Sequence, residues 1–205
     1  KAEAVELYKL APGLSTEKYG GKRIPPEQFV LRKVAQFEDE NFENTLLPAL
    51  ELMTLHNMPA QMSTPFLEKA ATLADATFEK LRSAPEPNLD QLGLACFISG
   101  CMHKELGNVE QALARFKLVE EAADDIDEDT YLPPYSHYEH GCLLALQGKE
   151  TNSLQLLQDA LEQFSKAKDG FKDFNYEMRL GFKLQVSTPV IKEWCMALGG
   201  TPKAK

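Results

Sequence analysis

The sequence predicts an all-α protein built from helical hairpins, and three observations lead to this prediction. Apolar residues recur at helical spacing along almost the whole chain, and no long stretch alternates apolar and polar residues as a strand would. Proline and glycine fall at the breaks between the apolar segments, where they start or end helices. One set of spacings between small and large residues also occurs twice, which indicates an internal repeat.

Proline and glycine give each predicted helix a local reason to begin or end. Proline fits the first turn of a helix, so we expect helices to open near Pro65, Pro134 and Pro189. Gly107 and Gly148 are expected to end helices, because glycine readily takes the left-handed conformation of a tight turn. The predicted helices cover about 2–10, 26–38, 44–57, 64–83, 88–106, 109–123, 134–147, 150–168, 173–187 and 189–198.

Two segments share one order of small and large residues. Intervals of 7, 5 and 4 residues separate Gly100, Gly107, Ala112 and Phe116, and the same intervals separate Gly141, Gly148, Ser153 and Leu157. In a tetratricopeptide repeat the small residues let two antiparallel helices approach, and the large residue fills the space between them. The period of 41 residues exceeds the standard length of about 34, and the extra residues fall in an acidic connection between the hairpins. The sequence therefore predicts a tetratricopeptide-like helical-hairpin solenoid with flanking capping helices.

The same pattern divides the chain into five regions. We expect the end of a preceding helix and a linker over 1–20, a degenerate hairpin over 21–58 and a connecting helix over 59–87. The two repeats and a capping helix would occupy 88–187, and a C-terminal helix and tail would occupy 188–205. Because the chain starts with Lys1 in a helical pattern, we expect a fragment of a longer protein.

Composition narrows the function classes. A net charge of -9 argues against a nucleic-acid partner, because proteins that bind phosphate backbones concentrate Lys and Arg. No apolar run approaches the roughly 18 residues of a membrane helix, so we expect no integral membrane segment. The four cysteines lie in apolar helical patterns and form no CxxC pair, which predicts core residues in a reducing compartment. We expect an intracellular, cytoplasmic protein, and the sequence leaves association with an organelle open.

The sequence predicts no catalytic residue, cofactor or metal site, since it contains no GxSxG, Walker, GxGxxG or HExxH motif. His137, His140 and Cys142 are the best candidate metal ligands, because histidines three residues apart share a helical face. His140 and Cys142 point apart on a helical wheel, so we expect histidines that pack and form hydrogen bonds. A metal-dependent enzyme using His137 and His140 is the unfavoured alternative.

An acidic stretch between the repeats imitates a calcium loop. Asp125, Asp127 and Asp129 alternate as the first ligands of such a loop do. Thr130 stands where the loop needs glycine, and Ser136 stands where it needs a bidentate glutamate. We therefore expect a solvated connector with no bound cation.

The favoured function is binding of a protein partner through the concave face of the repeat array. Projection of the repeat positions places on that face Leu94, Phe97, Cys101, Lys104, Tyr135, Tyr138, Cys142 and Leu146. Phe97, Tyr135 and Tyr138 are expected to form one aromatic patch, of the kind that supplies binding hot spots. The alternative is a structural subunit of a large assembly, whose concave face is filled by its own chain or by a neighbour.

Three stretches carry a resemblance to a known family. They are Gly21-Lys22-Arg23-Ile24-Pro25-Pro26-Glu27-Gln28-Phe29, with Arg32-Lys33 and Leu47-Pro48-Ala49-Leu50-Glu51-Leu52-Met53; Leu132-Pro133-Pro134-Tyr135, followed by Tyr138-Glu139-His140-Gly141; and Phe174-Asn175-Tyr176-Glu177-Met178-Arg179-Leu180-Gly181-Phe182-Lys183. In this order they resemble the C-terminal half of the tetratricopeptide repeat protein 39 family, which is related to the fungal inclusion body clearance protein. The resemblance implies a eukaryotic intracellular adaptor without catalytic residues.

Overall fold

The computed structural model describes residues 2–15, 24–42 and 46–200, and within these ranges it contains α-helices and no strand. The helices are α1 (Ala2–Leu14), α2 (Pro25–Asp39), α3 (Pro48–Leu55), α4 (Thr64–Arg82), α5 (Leu89–Glu105), α6 (Val109–Glu121), α7 (Leu132–Glu150), α8 (Leu154–Asp169) and α9 (Glu177–Ala197). The predicted all-α class is confirmed. Parts of three predictions lie outside the described residues: 1 and 16–20 of the linker, 21–23 and 43–45 of the hairpin, and 201–205 of the tail.

Helices α1 to α3 belong to the first of two compact units, Lys1–Met58. The rings of Tyr8 and Phe37 meet edge to face with centroids 5.4 Å apart, so α1 packs on α2. Lys33 Nζ lies 2.8 Å from Glu51 Oε2, and both side chains are buried. This ion pair joins α2 to α3, because neither charge is tolerated in the interior without a partner.

Helices α4 to α9 belong to the second unit, Pro59–Lys205, and each packs on the next along the chain. Helix α7 also contacts α5 and α9, its neighbours once removed. This stack of antiparallel hairpins is a tetratricopeptide-like solenoid. None of the described helices is both long and apolar enough to cross a membrane.

Two glycines allow the hairpins of the second unit to close. A Cβ on Gly100 would lie 2.7 Å from the Phe116 ring of α6. A Cβ on Gly141 would lie 2.7 Å from the Phe164 ring of α8 and 3.0 Å from the Ala160 carbonyl oxygen. Both phenylalanines are buried. The predicted close approach is confirmed at these glycines, and an aromatic ring occupies the space that each leaves open.

We expect Gly141→Ala to lower the free energy of unfolding by about 1–3 kcal/mol, because the added methyl group overpacks the α7–α8 contact. Gly181→Ala in α9 is the matched control. Apart from the adjoining residues and the backbone of α9 itself, no atom of the described residues lies within 4 Å of a Cβ placed on Gly181. Alanine favours a helix over glycine, so the control should gain up to about 1 kcal/mol. Urea denaturation measures both changes, and two changes of the same sign would contradict this packing.

Two predicted helix boundaries are wrong. Helix α7 continues past Gly148 to Glu150, and the residue with positive φ in the turn is Asn152, with φ 52°. Gly148 instead packs inside the hairpin, where a Cβ would lie 3.0 Å from Leu157. Gly107 does form the predicted turn, with φ 77°. Asparagine takes the left-handed conformation more readily than most residues, which explains why the second turn needs no glycine.

Pro189 was expected to open a separate helix, but it lies inside the continuous helix α9. Proline in a helix interior removes one backbone hydrogen bond at a cost of about 3 kcal/mol. Leu184 and Ile191, before and after the proline, are both buried. Their burial on one side of α9 offsets that cost and keeps the two segments in one helix.

Candidate partner-binding surface

The eight residues predicted on the partner-binding face differ widely in exposure. The structure buries Leu94, Phe97, Cys101, Tyr135 and Tyr138. Lys104 and Cys142 are partly exposed, and Leu146 is 50% exposed. Most of the predicted face is therefore covered within the chain itself.

The aromatic residues of this face pack against α7, α8 and α9. Phe97 and Tyr135 lie edge to face with ring centroids 6.4 Å apart, so part of the expected aromatic patch exists. The Tyr135 hydroxyl donates to the Tyr176 carbonyl oxygen at 3.2 Å. Tyr138 stacks on Phe164 with centroids 5.1 Å apart. The sequence did not indicate this covering, because the residues that supply it lie 26 or more positions along the chain.

Helix α9 is also tied to α7 through polar groups. Tyr138 Oη and Ser187 Oγ lie 3.0 Å apart, within hydrogen-bond distance. The Lys183 ammonium lies 5.0 Å from the centroid of the Tyr138 ring, which is cation–π distance. These contacts fix the side of α9 that faces α7.

A ladder of three charges runs across α5, α7 and α9. Lys104 Nζ lies 2.6 Å from Glu139 Oε2, and Lys183 Nζ lies 3.1 Å from Glu139 Oε1. Burial alone would raise the pKa of Glu139, but the two ammonium groups and their hydrogen bonds lower it to about 2. Burial would lower the pKa of Lys104, but Glu139 holds it well above its ordinary value. We call Lys104, Glu139 and Lys183 the charge ladder; Glu139 and Lys183 were not among the predicted residues.

The thiols beside the charge ladder are poor nucleophiles. Burial raises the pKa of Cys101 well above its ordinary value, and burial with the nearby Glu139 carboxylate raises that of Cys142 to about 12. The thiolate is the reactive form, and neither thiol forms it near neutral pH. Cys101 is therefore a core residue, and Cys142 is partly exposed but stays protonated.

A second polar cluster joins α4, α5 and α6 and was not predicted. Asp75 accepts hydrogen bonds from Ser99 Oγ at 2.6 Å and from Arg115 Nη2 at 3.1 Å, and its Oδ2 lies 2.9 Å from His103 Nε2. Burial would raise the pKa of Asp75, but these hydrogen bonds and charges lower it. Ser99 and His103 both bind the carboxylate, so the imidazole is not placed to take a proton from the hydroxyl. The cluster fastens the three helices together.

The histidines considered as metal ligands bind neighbouring helices. His140 Nδ1 lies 2.9 Å from Glu120 Oε1 of α6, and His137 Nδ1 lies 2.7 Å from Gln163 Oε1 of α8. Within the described part of the chain, no group of three or more His, Cys, Asp or Glu side chains could hold a metal ion. The arrangement suits hydrogen bonds between helices.

The acidic connector is not solvated throughout, contrary to the prediction. Asp129 is buried. The Asp90 carboxylate at the start of α5 accepts hydrogen bonds from the backbone N–H groups of Glu128 and Asp129, at 2.9 and 3.0 Å. Ile126 packs beside Gly93, where a Cβ would lie 3.0 Å from its Cδ1. The connector is thus anchored to α5, which sequence spacing alone did not reveal.

The outer face of α9 carries large apolar side chains in contact with solvent. Met178, Phe182 and Val186 are 81%, 67% and 70% exposed. Val190 continues the row at the same spacing of four residues, so all four lie on one side of the helix. We call these four residues the α9 stripe. The sequence predicts a capping helix in this region and does not indicate which of its sides is exposed.

The comparisons with known proteins bear on the first half of the chain. The model of the family described as Iml2/Tetratricopeptide repeat protein 39 matches residues 1–106. This range includes the first of the three stretches that carried the resemblance, up to Met53, while those near Leu132 and Phe174 lie beyond it. No solved structure matches the chain.

Proposed function

Since the chain belongs to the Iml2/Tetratricopeptide repeat protein 39 family, we propose that it is a non-catalytic scaffold or adaptor that holds a protein partner. Stacked helical hairpins offer extended surfaces, and repeat proteins commonly use such surfaces for binding. The two polar clusters of the second unit, the charge ladder and the cluster around Asp75, support a non-catalytic role. Their charged groups bind one another and hold neighbouring helices together. We place the activity inside the cell, in the cytoplasm, because the four cysteines are free.

The observation that carries the proposal is the exposure of large apolar side chains on the second unit. A monomeric protein rarely exposes contiguous apolar patches unless they bind something. The α9 stripe is such a patch, and Leu146 is exposed on α7. Of the eight predicted residues, we propose that Leu146 contacts the partner, with Lys104 and Cys142 at the margin. The five buried residues would support this surface from behind.

Affinity purification of the tagged protein, followed by mass spectrometry, tests the scaffold proposal. We expect at least one protein to be retained by the wild-type chain and to be reduced with Leu146→Asp. Leu118→Asp is the matched control, because Leu118 is a 43% exposed leucine on α6. Both substitutions place a charge at an exposed position, where the effect on stability is small.

The proposal is contradicted if the wild-type chain retains nothing beyond the proteins bound by the tag alone. Size measurement of the retained complex gives its stoichiometry, and competition with added partner protein shows whether the partner exchanges. Together these two measurements distinguish an adaptor from a subunit. A partner that exchanges with competitor protein indicates an adaptor, whereas a fixed stoichiometry that survives high salt indicates a subunit of an assembly.

A further inference from the structure

The first helix of each hairpin in the second unit follows one rule around its glycine. The residue before the glycine bonds to the preceding helix: Ser99 donates to Asp75 of α4, and His140 pairs with Glu120 of α6. The glycine itself receives a ring from the following helix: Gly100 faces Phe116 of α6, and Gly141 faces Phe164 of α8. A glycine in such a helix is thus a seat for an aromatic side chain from the next helix.

Helix α9 has a glycine at the corresponding position, but no aromatic side chain of the described residues packs against it. Leu180 is buried, and α9 packs on the preceding helix α8. The next residue is Gly181, which lies 40 positions after Gly141, close to the repeat period. Apart from the adjoining residues and the backbone of α9 itself, a Cβ there would meet no atom of the described residues within 4 Å. Gly181 therefore has the position of Gly100 and Gly141, but no ring of this part of the chain covers it.

The surroundings of the open seat are apolar. Met178 and Phe182 flank Gly181 on the exposed side, and Val186 and Val190 continue the α9 stripe. The opposite side of α9 is apolar as well, because Leu180, Leu184, Ile191 and Cys195 are buried. A helix that is apolar on two opposite sides is usually packed on both.

We propose that the α9 stripe binds an amphipathic helix of a partner protein, which seats an aromatic side chain against Gly181. The helix would continue the stacking interface that α5 forms with α6 and α7 forms with α8. This inference rests on the proposed scaffold function and names the chemistry of its partner. An amphipathic helix is required because only its apolar face matches the stripe, while its polar face becomes the new outer surface.

A lipid surface fits this face less well than a protein helix does. Helices that lie on membranes carry Lys and Arg beside their apolar side. On α9 the exposed charged residues are Glu177 and Glu193, whereas the basic residues Arg179, Lys183 and Lys192 are only partly exposed and Lys183 is paired with Glu139. The most exposed charges of α9 are therefore carboxylates, which disfavour an anionic membrane.

Helix α8, whose Phe164 packs against Gly141, supplies the probe for the test. A fluorescent peptide with the sequence of residues 154–169 is an amphipathic helix that carries Phe164. Its binding to the full chain is measured by fluorescence anisotropy at low salt. We expect saturable binding, weakened at least about tenfold by Gly181→Leu and also by replacement of Phe164 with alanine in the peptide.

Gly181→Leu separates binding from folding, because the leucine side chain occupies the space beside Gly181 and is not expected to destabilise the fold. The position is open, and leucine favours a helix over glycine, so thermal stability should be unchanged or higher. Phe182→Asp tests the rim of the seat and should weaken binding as well. Leu73→Asp, at a 52% exposed leucine on α4, is the control and should leave binding unchanged.

Three results would overturn the proposal. The first is no saturable binding of the peptide, and the second is binding that Gly181→Leu does not weaken. The third is occupation of the stripe by something else: self-association in sedimentation, or binding to vesicles of anionic lipid, that Gly181→Leu abolishes. If the tagged wild-type chain still retains a protein in any of these cases, the scaffold function stands and only the helix partner is wrong.

Discussion

Replacement of Glu139 by alanine is expected to lower the free energy of unfolding by about 3–5 kcal/mol. The substitution leaves the ammonium groups of Lys104 and Lys183 without the carboxylate that lies between them at 2.6 and 3.1 Å. Removal of one partner of a buried ion pair is costly because the remaining charge stays desolvated. The single tryptophan, Trp194 in α9, reports the transition by fluorescence during denaturation.

Glu162→Ala is the control for this prediction. Glu162 Oε1 lies 3.2 Å from Lys166 Nζ, but both side chains are largely exposed. An exposed pair four residues apart on a helix contributes about 0.5 kcal/mol or less. If Glu139→Ala costs no more than this control, the charge ladder does not stabilise the fold. If the variant does not fold, Glu139→Gln keeps the shape of the side chain and allows the measurement.

The charge ladder also has a pH signature. The pKa of Glu139 is about 2 in the folded chain, against an ordinary value of 4.5. Because the folded pKa is depressed, the unfolded chain binds the proton more tightly, and acid favours unfolding. The stabilisation is complete above about pH 4.5 and is lost as the pH falls towards about 2. The stability difference between the wild type and Glu139→Gln should shrink across this window.

The repeat was predictable because its signals are local. Small residues at fixed intervals and helical apolar spacing require no knowledge of distant contacts, and Gly100 and Gly141 pack as their spacing predicted. The turn at Asn152 and the proline inside α9 were not predictable in this way. Packing of Gly148 against Leu157, and burial of Leu184 and Ile191 on either side of Pro189, outweigh local preferences of about 1–3 kcal/mol against continuing the helix.

The exposure of the predicted binding face could not be obtained from the sequence. Repeat positions indicate which residues point towards the inner face of the array, but they do not indicate what covers that face. Tyr138 and Ser187 meet across 49 positions of sequence, and Lys104 and Glu139 meet across 35. The first pair meets through the packing of α9 on α7 and the second through the packing of α5 on α7, and no local spacing encodes either contact.

Tyr138 provides the second large prediction, because it links α7 to both α8 and α9. Its ring stacks on Phe164, its hydroxyl lies 3.0 Å from Ser187 Oγ, and the Lys183 ammonium lies 5.0 Å from its ring centroid. Only 8% of the residue is exposed. We expect Tyr138→Ala to lower the free energy of unfolding by about 3 kcal/mol, at the low end for removal of a buried aromatic ring.

Tyr138→Ala should destabilise α9 locally as well as lower the global free energy of unfolding. Hydrogen exchange of the α9 amides is expected to accelerate more than that of α5, because the contact that holds α9 against α7 is removed. Tyr138→Phe is the matched control: it keeps the stacked ring and loses only the hydroxyl, at a cost of about 1 kcal/mol. A Tyr138→Ala chain with unchanged stability and α9 exchange, but without its retained partner, would mean that Tyr138 serves binding directly and that α9 does not depend on it. Loss of stability with faster α9 exchange instead identifies the tyrosine as part of the support beneath the α9 stripe.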